Sequence, residues 1–294
     1  MRIQHCDVGI AGLGLIGSSM AAKLAGGGHC RSVIGWDIDP GVSQKALQRG
    51  FVFESKESLQ DLASSSDVLV LALPPSSIVD TGREALRAAK GRVRVIMDTA
   101  SAKRKVATGL AVEWKERYVG LHPMAGKERG GIENADPALF EGCVTAVVAT
   151  PETSAEAGET AREIAEALGS RVVETDPETH DKMVACVSHL PIFMAMALAL
   201  TAGECGRECP KLKDLAAGGF RDTSRVASGP SWLVSEIWEQ NRDFIAPLIH
   251  KAAALLEMMA DSSEKQLTEI SKRASFARSS ILEGRFASLG GDRS

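Results

Sequence analysis

The sequence is poor in aromatic residues and has no excess of positive charge. Only 13 of its 294 residues are aromatic (eight Phe, four Trp and one Tyr), and 34 Lys and Arg stand against 38 Asp and Glu, which leaves a net charge of −4. Proteins that bind nucleic acid use basic surfaces and aromatic platforms on which bases stack. Both absences therefore argue against nucleic acid as a partner.

Long apolar runs and paired cysteines are also missing. The longest apolar run, residues 190–203, is shorter than the roughly 20 residues that span a bilayer, so we expect a buried core helix and no membrane partner. The six cysteines include no CxxC pair, and no histidine pair completes a metal site around Cys205 and Cys209, so we predict no metal. The N-terminus enters a strand without a signal-peptide pattern, so we expect a cytoplasmic protein.

The pattern along the chain changes once, near residue 175. Before it, short β-branched runs alternate with helical stretches, which is typical of a parallel, doubly wound α/β sheet. After Asp176-Pro177 the apolar period is helical throughout, and one face of the first helix carries the apolar residues Met183, Val187, Leu190, Met194 and Leu198. We therefore predict an α/β domain over residues 1–175 and an all-helical domain over residues 176–294, with a frayed polar tail at 290–294.

A glycine-rich turn follows the first predicted strand. Gly12, Gly14 and Gly17 form a GxGxxG motif that opens an amphipathic helix. The first glycine permits a tight turn, the second lets the backbone approach a pyrophosphate, and the third lets the helix pack against the strand. With Leu15 and Ile16, they place the first N–H groups of the helix beside the phosphates. This context predicts a Rossmann-type dinucleotide-binding domain.

An acid at the end of the second strand indicates which dinucleotide is bound. Asp37 lies 20 residues beyond Gly17, the distance expected for a carboxylate that accepts from the adenosine ribose hydroxyls. The same carboxylate would repel a 2′-phosphate, so we predict NAD as the cofactor rather than NADP. Further candidate cofactor contacts follow later strands, at Leu73, Pro74 and Thr99.

Three polar segments lie at strand ends or in the helical domain, where a doubly wound sheet binds its ligands. They contain Ser101, His122 and His189. His122 precedes a proline and is not expected within a regular ladder, which makes it the best candidate for an acid–base group with an ionisation near the usual histidine range. Pro191 removes an N–H from the first helix of the second domain, so we expect a kink beside His189. His180 is interpreted as a helix-end residue.

Taken together, the segments GLGLIGSS at 12–19, DTASAK at 98–103, HPMAGKE at 122–128, ETHDKMVACVSHLP at 178–191 and GGFRDTSRVA at 218–227 resemble the prephenate and arogenate dehydrogenases of tyrosine biosynthesis. The resemblance covers nearly the whole chain. It implies an oxidoreductase that uses NAD for the oxidative decarboxylation of prephenate or arogenate. It also implies a homodimer formed through the helical domain.

The resemblance assigns roles to individual positions. His122 resembles the catalytic histidine that takes the proton of the ring hydroxyl, and Ser101 is similar to the serine that bridges histidine, hydroxyl and nicotinamide. Arg225 resembles the arginine that binds a substrate carboxylate. His189 is similar to a histidine that lines the substrate pocket, and Glu128 to a residue at its mouth.

Some questions stay open at the level of sequence. Lys127, Arg129 and Trp232 depart from the expected pattern and receive no role, and the preference for prephenate or arogenate is undetermined. One alternative is a β-hydroxyacid type of dehydrogenase, which would use a catalytic lysine, with Lys182 as the only nearby candidate. The other is a protein that binds NAD without turnover. Nothing before the first strand or after Glu283 is long enough for a mutase or regulatory domain, so we expect neither.

Overall fold

The computed structural model describes residues 2–284, and the predicted frayed tail at 290–294 lies outside them. Eight strands form one sheet, in the order β3-β2-β1-β4-β5-β6-β7-β8. Their bounds are β1 Asp7–Ala11, β2 Ser32–Trp36, β3 Glu54–Ser55, β4 Val68–Leu71, β5 Val95–Asp98, β6 Tyr118–Pro123, β7 Val144–Val148 and β8 Arg171–Thr175. The strand order reverses direction between β1 and β4, which is where such sheets bind ligands at their carboxyl ends.

Helices connect these strands and make up most of residues 177–284. Those within the sheet region are α1 Leu15–Gly26, α2 Pro40–Gln48, α3 Leu59–Ser65, α4 Pro75–Ala89, α5 Arg104–Trp114 and α6 Ala155–Ala167. Those after it are α7 Pro177–Val184, α8 Leu190–Glu208, α9 Leu212–Leu215, α10 Gly218–Ser224, α11 Ser231–Ala260 and α12 Glu264–Glu283.

The hydrophobic core lies on both faces of the sheet, and the central strand β4 is apolar at every position. Along β4, Val68 and Val70 pack with residues of α1 and α6, whereas Leu69 and Leu71 pack with residues of α3, α4 and α5. Successive side chains of a strand point to opposite faces, so a continuous apolar run indicates a strand with helices on both sides. The predicted doubly wound α/β fold is confirmed.

One strand pair departs from the predicted parallel sheet. β7 runs antiparallel to β6, with His122 opposite Ala146, while β8 returns parallel to β7. A parallel neighbour requires a crossover connection, usually a helix. Between β6 and β7 the chain forms only a short 3₁₀ turn, Ile132–Asn134, and returns along the same edge.

The contacts divide the chain into two compact units, one up to Ile245 and one from Ala246 on. In its described part the second unit consists of the end of α11 and α12, and is helical. The sheet ends at Thr175, and the predicted domain boundary after residue 175 stays a prediction.

The prediction of a buried core helix at residues 190–203 is wrong. This run lies in α8, where Ala195 is the one described residue that is fully buried, and Leu200 is 69% exposed. On the apolar face of this helical stretch, Met183 and Val187 are exposed, whereas Leu190, Met194 and Leu198 are partly buried. An apolar helix face is expected to be covered. Its composition does not say whether the same chain or another chain covers it.

The stretch that contains this run is longer than the run itself. By its length and apolar composition, the stretch Pro177–Glu208 could cross a membrane. The mean hydropathy of its most apolar window is 2.0, and 22% of that window is buried.

The helix irregularity expected near Pro191 is present as a π-helical turn. Residues Ala185–His189 form this turn between α7 and α8, and Pro191 lies in the first turn of α8. A π turn adds one residue to the helix and is a common cause of a kink.

Candidate active site

The glycine-rich turn has the geometry that the sequence predicts. Gly12 has φ +91°, and a Cβ there would lie 2.4 Å from the carbonyl oxygen of Ala72. A Cβ on Gly17 would lie 1.9 Å from the carbonyl oxygen of Gly12. Apart from its chain neighbours, no atom of residues 2–284 lies within 4 Å of a Cβ built on Gly14, so the turn is open at that residue. The first and third glycines are therefore required by packing, and the second leaves space for a ligand.

The start of α1 and the end of β2 meet at this turn. Gly14 caps α1 without a side-chain hydrogen bond, so the helix presents its first N–H groups, from Leu15 and Ile16 onward, to the open side. The Asp37 carboxylate accepts the N–H of Leu13 through Oδ2 at 2.7 Å and that of Asp39 through Oδ1 at 2.9 Å. Each oxygen keeps one lone pair for a further donor. The arrangement fits the phosphates and ribose of a dinucleotide.

The other predicted cofactor residues lie at the same edge of the sheet. Leu73 and Pro74 follow β4, and Pro74 precedes α4. Thr99 follows β5, and its N–H donates to the carbonyl of Leu71 at 3.1 Å. These residues are at the carboxyl ends of the strands beside the topological switch point.

His122 lies within the last residues of β6. The expectation that it stands outside a regular ladder is wrong, since it pairs with Ala146, and Pro123 pairs with Thr145. Proline is tolerated there because it is the last residue of the strand, where a missing N–H matters least. Burial lowers the pKa of His122 well below its usual range, and the nearby His180, Lys103 and His189 shift it in the same direction. This direction favours the neutral imidazole of His122 and differs from the ionisation near the usual histidine range that the sequence predicts.

A buried ion pair lies beside His122. Lys103 is fully buried, and its Nζ donates to Oδ1 of Asp98 at 2.6 Å, to the Asp98 carbonyl at 2.9 Å and to the Leu121 carbonyl at 3.0 Å. The hydroxyl of Tyr118 donates to Oδ2 of Asp98 at 2.8 Å. All three protons of the ammonium group are thus used. The pair ties the end of β5 to the residue that precedes His122.

His180, interpreted from the sequence as a helix-end residue, contacts His122 directly. Its Nε2 lies 2.9 Å from Nδ1 of His122, and its Nδ1 lies 2.8 Å from Oδ1 of Asp181. His180 and Asp181 are buried. Sequence reasoning missed both residues, although the THDK segment that contains them was part of the resemblance.

His189 is buried on the other side of this group, next to a residue that the sequence did not indicate. Nδ2 of Asn241 donates to the carbonyl of Asp181 at 2.9 Å and lies 3.2 Å from Nδ1 of His189. Burial lowers the pKa of His189 to about 4, against the opposing charge of Asp181. Nε2 of His189 and Oδ1 of Asn241 are buried without a hydrogen-bond partner of good geometry among residues 2–284, although the backbone of Ser101 is close enough to His189 to raise its pKa against the effect of burial.

The remaining predicted residues are not joined to His122. Ser101 lies half-buried in the loop between β5 and α5. Arg225 and Glu128 form an ion pair with each other, and both are exposed. Among residues 2–284, no hydrogen bond links Ser101 or Arg225 to His122. The Glu128–Arg225 pair joins the loop after β6 to the turn after α10.

Comparison with known protein families decides among the candidate dehydrogenases. The model described as prephenate dehydrogenase, nucleotide-binding domain, matches residues 20–174, and the model described as prephenate dehydrogenase, dimerization domain, matches residues 176–273. The chain belongs to the prephenate dehydrogenase family. Both the predicted family and the predicted nucleotide-binding fold are confirmed.

Individual members of the prephenate dehydrogenase family match along most of the chain. The prephenate dehydrogenase of Lactococcus lactis subsp. cremoris is 31% identical over 254 residues, which are 85% of this chain and 69% of that protein. The crystal structure of the A. aeolicus prephenate dehydrogenase in complex with hydroxyphenyl propionate and NAD+ has a TM-score of 0.84 at 27% identity, covering 94% of this chain and 98% of that chain. The Synechocystis arogenate dehydrogenase has a TM-score of 0.79 at 27% identity, covering 94% and 99%.

The geometry also argues against the catalytic lysine of the alternative dehydrogenase class. Lys182 is more than half exposed, and its Nζ is paired with Glu178 at 2.6 Å within α7. The buried polar residues of this prephenate dehydrogenase family member instead include His122, His180, His189 and the Lys103–Asp98 pair.

Proposed function

We propose that this protein catalyses the NAD-dependent oxidative decarboxylation of prephenate to 4-hydroxyphenylpyruvate, or of arogenate to tyrosine, in tyrosine biosynthesis. One observation carries the proposal. A buried histidine, His122, lies at the carboxyl edge of a dinucleotide-binding sheet, where burial lowers its pKa and favours the neutral imidazole, in a chain of the prephenate dehydrogenase family. A neutral base at that edge is what removal of a proton from an alcohol requires.

The cofactor-binding residues are those around the glycine-rich turn. Gly14 leaves the approach to the N-terminus of α1 open for the pyrophosphate, and Asp37 has a free lone pair on each oxygen for the ribose hydroxyls. Leu73, Pro74 and Thr99 complete the edge of the site. NAD, when bound there, supplies the acceptor for the hydride that leaves C4 of the ring.

His122 takes the proton of the C4 hydroxyl, while Ser101 positions that hydroxyl from the loop after β5. The ring carboxylate is then lost as carbon dioxide, and aromatisation of the ring drives this step. The protein has to orient the substrate and remove one proton, and its chemistry requires no further acid.

Arg225 and His189 bind the substrate. The guanidinium of Arg225 already holds a carboxylate, that of Glu128, so a substrate carboxylate competes for the same donors. Since Asn241 donates to Nδ1 of His189, the proton of His189 lies on Nε2, which is the buried atom without a partner. A substrate oxygen at that atom would satisfy it.

A homodimer formed through the helical domain accounts for the exposed apolar surface of α8. The dimerization-domain model covers this helix, and Leu200 is 69% exposed within a single chain. Replacing Leu200 by Lys should shift the mass measured by light scattering toward the monomer. Val112→Lys, at a 71% exposed position on α5, is the matched control and should leave the mass unchanged. We expect the enzyme to act in the cytoplasm.

The test of the proposed function is an assay of the purified protein with prephenate and with arogenate, each with NAD and with NADP. Formation of NADH at 340 nm and of the aromatic product by chromatography should occur together, with NAD preferred. His122→Asn in the same assay excludes a contaminating activity. Absence of turnover with both substrates would refute the proposal.

A further inference from the structure

We propose that Asp181 and His180 are positioning residues that hold His122 in the tautomer with its proton on Nδ1, which leaves Nε2 as the atom that accepts the substrate proton. The three side chains form a continuous chain of hydrogen bonds: Asp181 Oδ1 to His180 Nδ1 at 2.8 Å, and His180 Nε2 to His122 Nδ1 at 2.9 Å. All three residues are buried. The inference rests on the proposed function only for its catalytic consequence.

The first step concerns the charge of Asp181. Its Oδ1 accepts the backbone N–H of Lys103 at 2.7 Å, and its Oδ2 accepts that of Arg104 at 2.9 Å. These two N–H groups are at the N-terminus of α5, and Lys103 supplies no side-chain cap of its own. A carboxylate is stabilised there because unpaired N–H groups and the helix dipole both favour negative charge. Asp181 is therefore an anion, which accepts hydrogen bonds and donates none.

The second step follows the protons outward from Asp181. Since Asp181 only accepts, the proton shared with His180 lies on Nδ1 of His180. In a neutral imidazole the other nitrogen is then an acceptor, so Nε2 of His180 accepts. The hydrogen bond between the two histidines consequently requires a proton on Nδ1 of His122. Nε2 of His122 is left with its lone pair.

The chain of bonds has a consequence during the reaction. As the O–H bond of the substrate breaks, the new bond forms at Nε2 of His122, and the electron pair stays on the oxygen, which becomes a carbonyl as hydride leaves the carbon. The resulting imidazolium of His122 keeps its Nδ1 bond to His180. Asp181 orients His180 so that its lone pair faces that positive charge. Similar triads position a catalytic histidine in hydrolases, where loss of the acid mainly lowers turnover.

The experiment reads the tautomer of His122 directly, without substrate. The protein is labelled with 15N-histidine, and the His122 ring signals are assigned by comparison with His122→Asn. At neutral pH the wild type should show a protonated Nδ1 and an unprotonated Nε2. A protonated Nε2 in the wild type would overturn the inference, whatever the enzyme turns over.

Asp181→Asn is the variant that removes the anion at nearly constant volume. Its amide nitrogen donates, so it no longer requires the proton of His180 on Nδ1. We expect the ring signals of His122 to lose their single-tautomer pattern and kcat to fall about 10²–10⁴-fold. KM for substrate and the affinity for NAD should stay within about twofold of wild type, because Asp181 is fully buried.

Asp176→Asn is the control for loss of helix capping, since the side chain of Asp176 caps the N-terminus of α7. Its Oδ1 accepts the N–H groups of Glu178 and Thr179, each at 3.0 Å. This control should leave both kcat and the His122 tautomer unchanged. If it changes them as much as Asp181→Asn does, the effect is a loss of helix capping, and the positioning role is refuted.

Discussion

Replacing Lys103 by Met tests the buried ion pair beside His122. Met has an unbranched side chain of similar length but lacks the ammonium group, so Asp98 and the Leu121 carbonyl each lose a donor. Removing one partner of a buried pair costs about 3–5 kcal/mol, because the remaining charge stays buried. Asp98 keeps the hydroxyl of Tyr118 and the N–H of Ala100. We therefore expect the free energy of unfolding to fall by about 3 kcal/mol, the lower end of that range.

The assay is urea denaturation followed by circular dichroism. Lys105→Met is the control, since Lys105 is half-exposed and its pair with Glu239, at 3.5 Å, lies at the surface. Its loss should not exceed about 1 kcal/mol. Adding Asp98→Asn to Lys103→Met should destabilise by less than the sum of the single changes, because the two side chains interact directly. If Lys103→Met costs no more than the Lys105 control, the pair does not hold this end of the sheet together.

The remaining predictions concern catalysis and binding. His122→Asn cannot accept the proton, so turnover should fall about 10²–10⁴-fold at unchanged NAD affinity and melting temperature. In the wild type, the acidic limb of the rate–pH profile should lie below the usual histidine range, since the base must be neutral and burial, with His180, Lys103 and His189 facing it, lowers its pKa. Asp37→Ser should raise the Michaelis constant for NAD and improve use of NADP, measured by steady-state kinetics. Arg225→Ala should raise KM for the substrate by the equivalent of about 1.5–3 kcal/mol, which is what hydrogen bonds to a charged group contribute.

Each of these predictions has a result that contradicts it. His122→Asn with more than about a tenth of wild-type turnover would remove His122 from the chemistry. A wild type that prefers NADP would contradict the electrostatic argument for Asp37. Equal loss of substrate and NAD affinity in Arg225→Ala would make Arg225 structural. Glu128→Gln is the counterpart of Arg225→Ala. It removes the carboxylate that competes with the substrate for Arg225, so substrate binding should improve.

The local features of the fold could be predicted because each depends on neighbouring residues. The spacing of the GxGxxG motif predicts the roles of Gly12 and Gly17, and the structure shows that a Cβ at either residue would collide with the backbone. The direction of β7 could not be predicted, because it depends on what the chain forms between Pro123 and Val144, and that loop has no periodic pattern. The exposure of α8 could not be predicted either, because an apolar side chain packs equally well against its own chain or against another chain.

The candidate site likewise contains residues that the sequence identifies and residues that only the fold brings together. His122 was found because it lies in a specific segment at a strand end. Its partner His180 is 58 residues away, and that contact exists only once α7 packs against the end of β6. Lys103 stands within a segment that the sequence analysis quoted, yet a lysine is almost never fully buried, and composition alone favours a solvated side chain.

The π turn at Ala185–His189 determines the angle between His180 and His189 around the helix axis. His180 and His189 are nine residues apart, and at about 100° per residue a regular α-helix would point them to nearly opposite sides. The extra residue of the π turn rotates the following segment back, and both side chains are buried near His122. A single deletion within residues 185–188 would place the two histidines eight residues apart, about 80° around a regular α-helix, so both would still face the same side. A relative that is one residue shorter here would therefore need no π turn to keep both histidines at this side of the pocket.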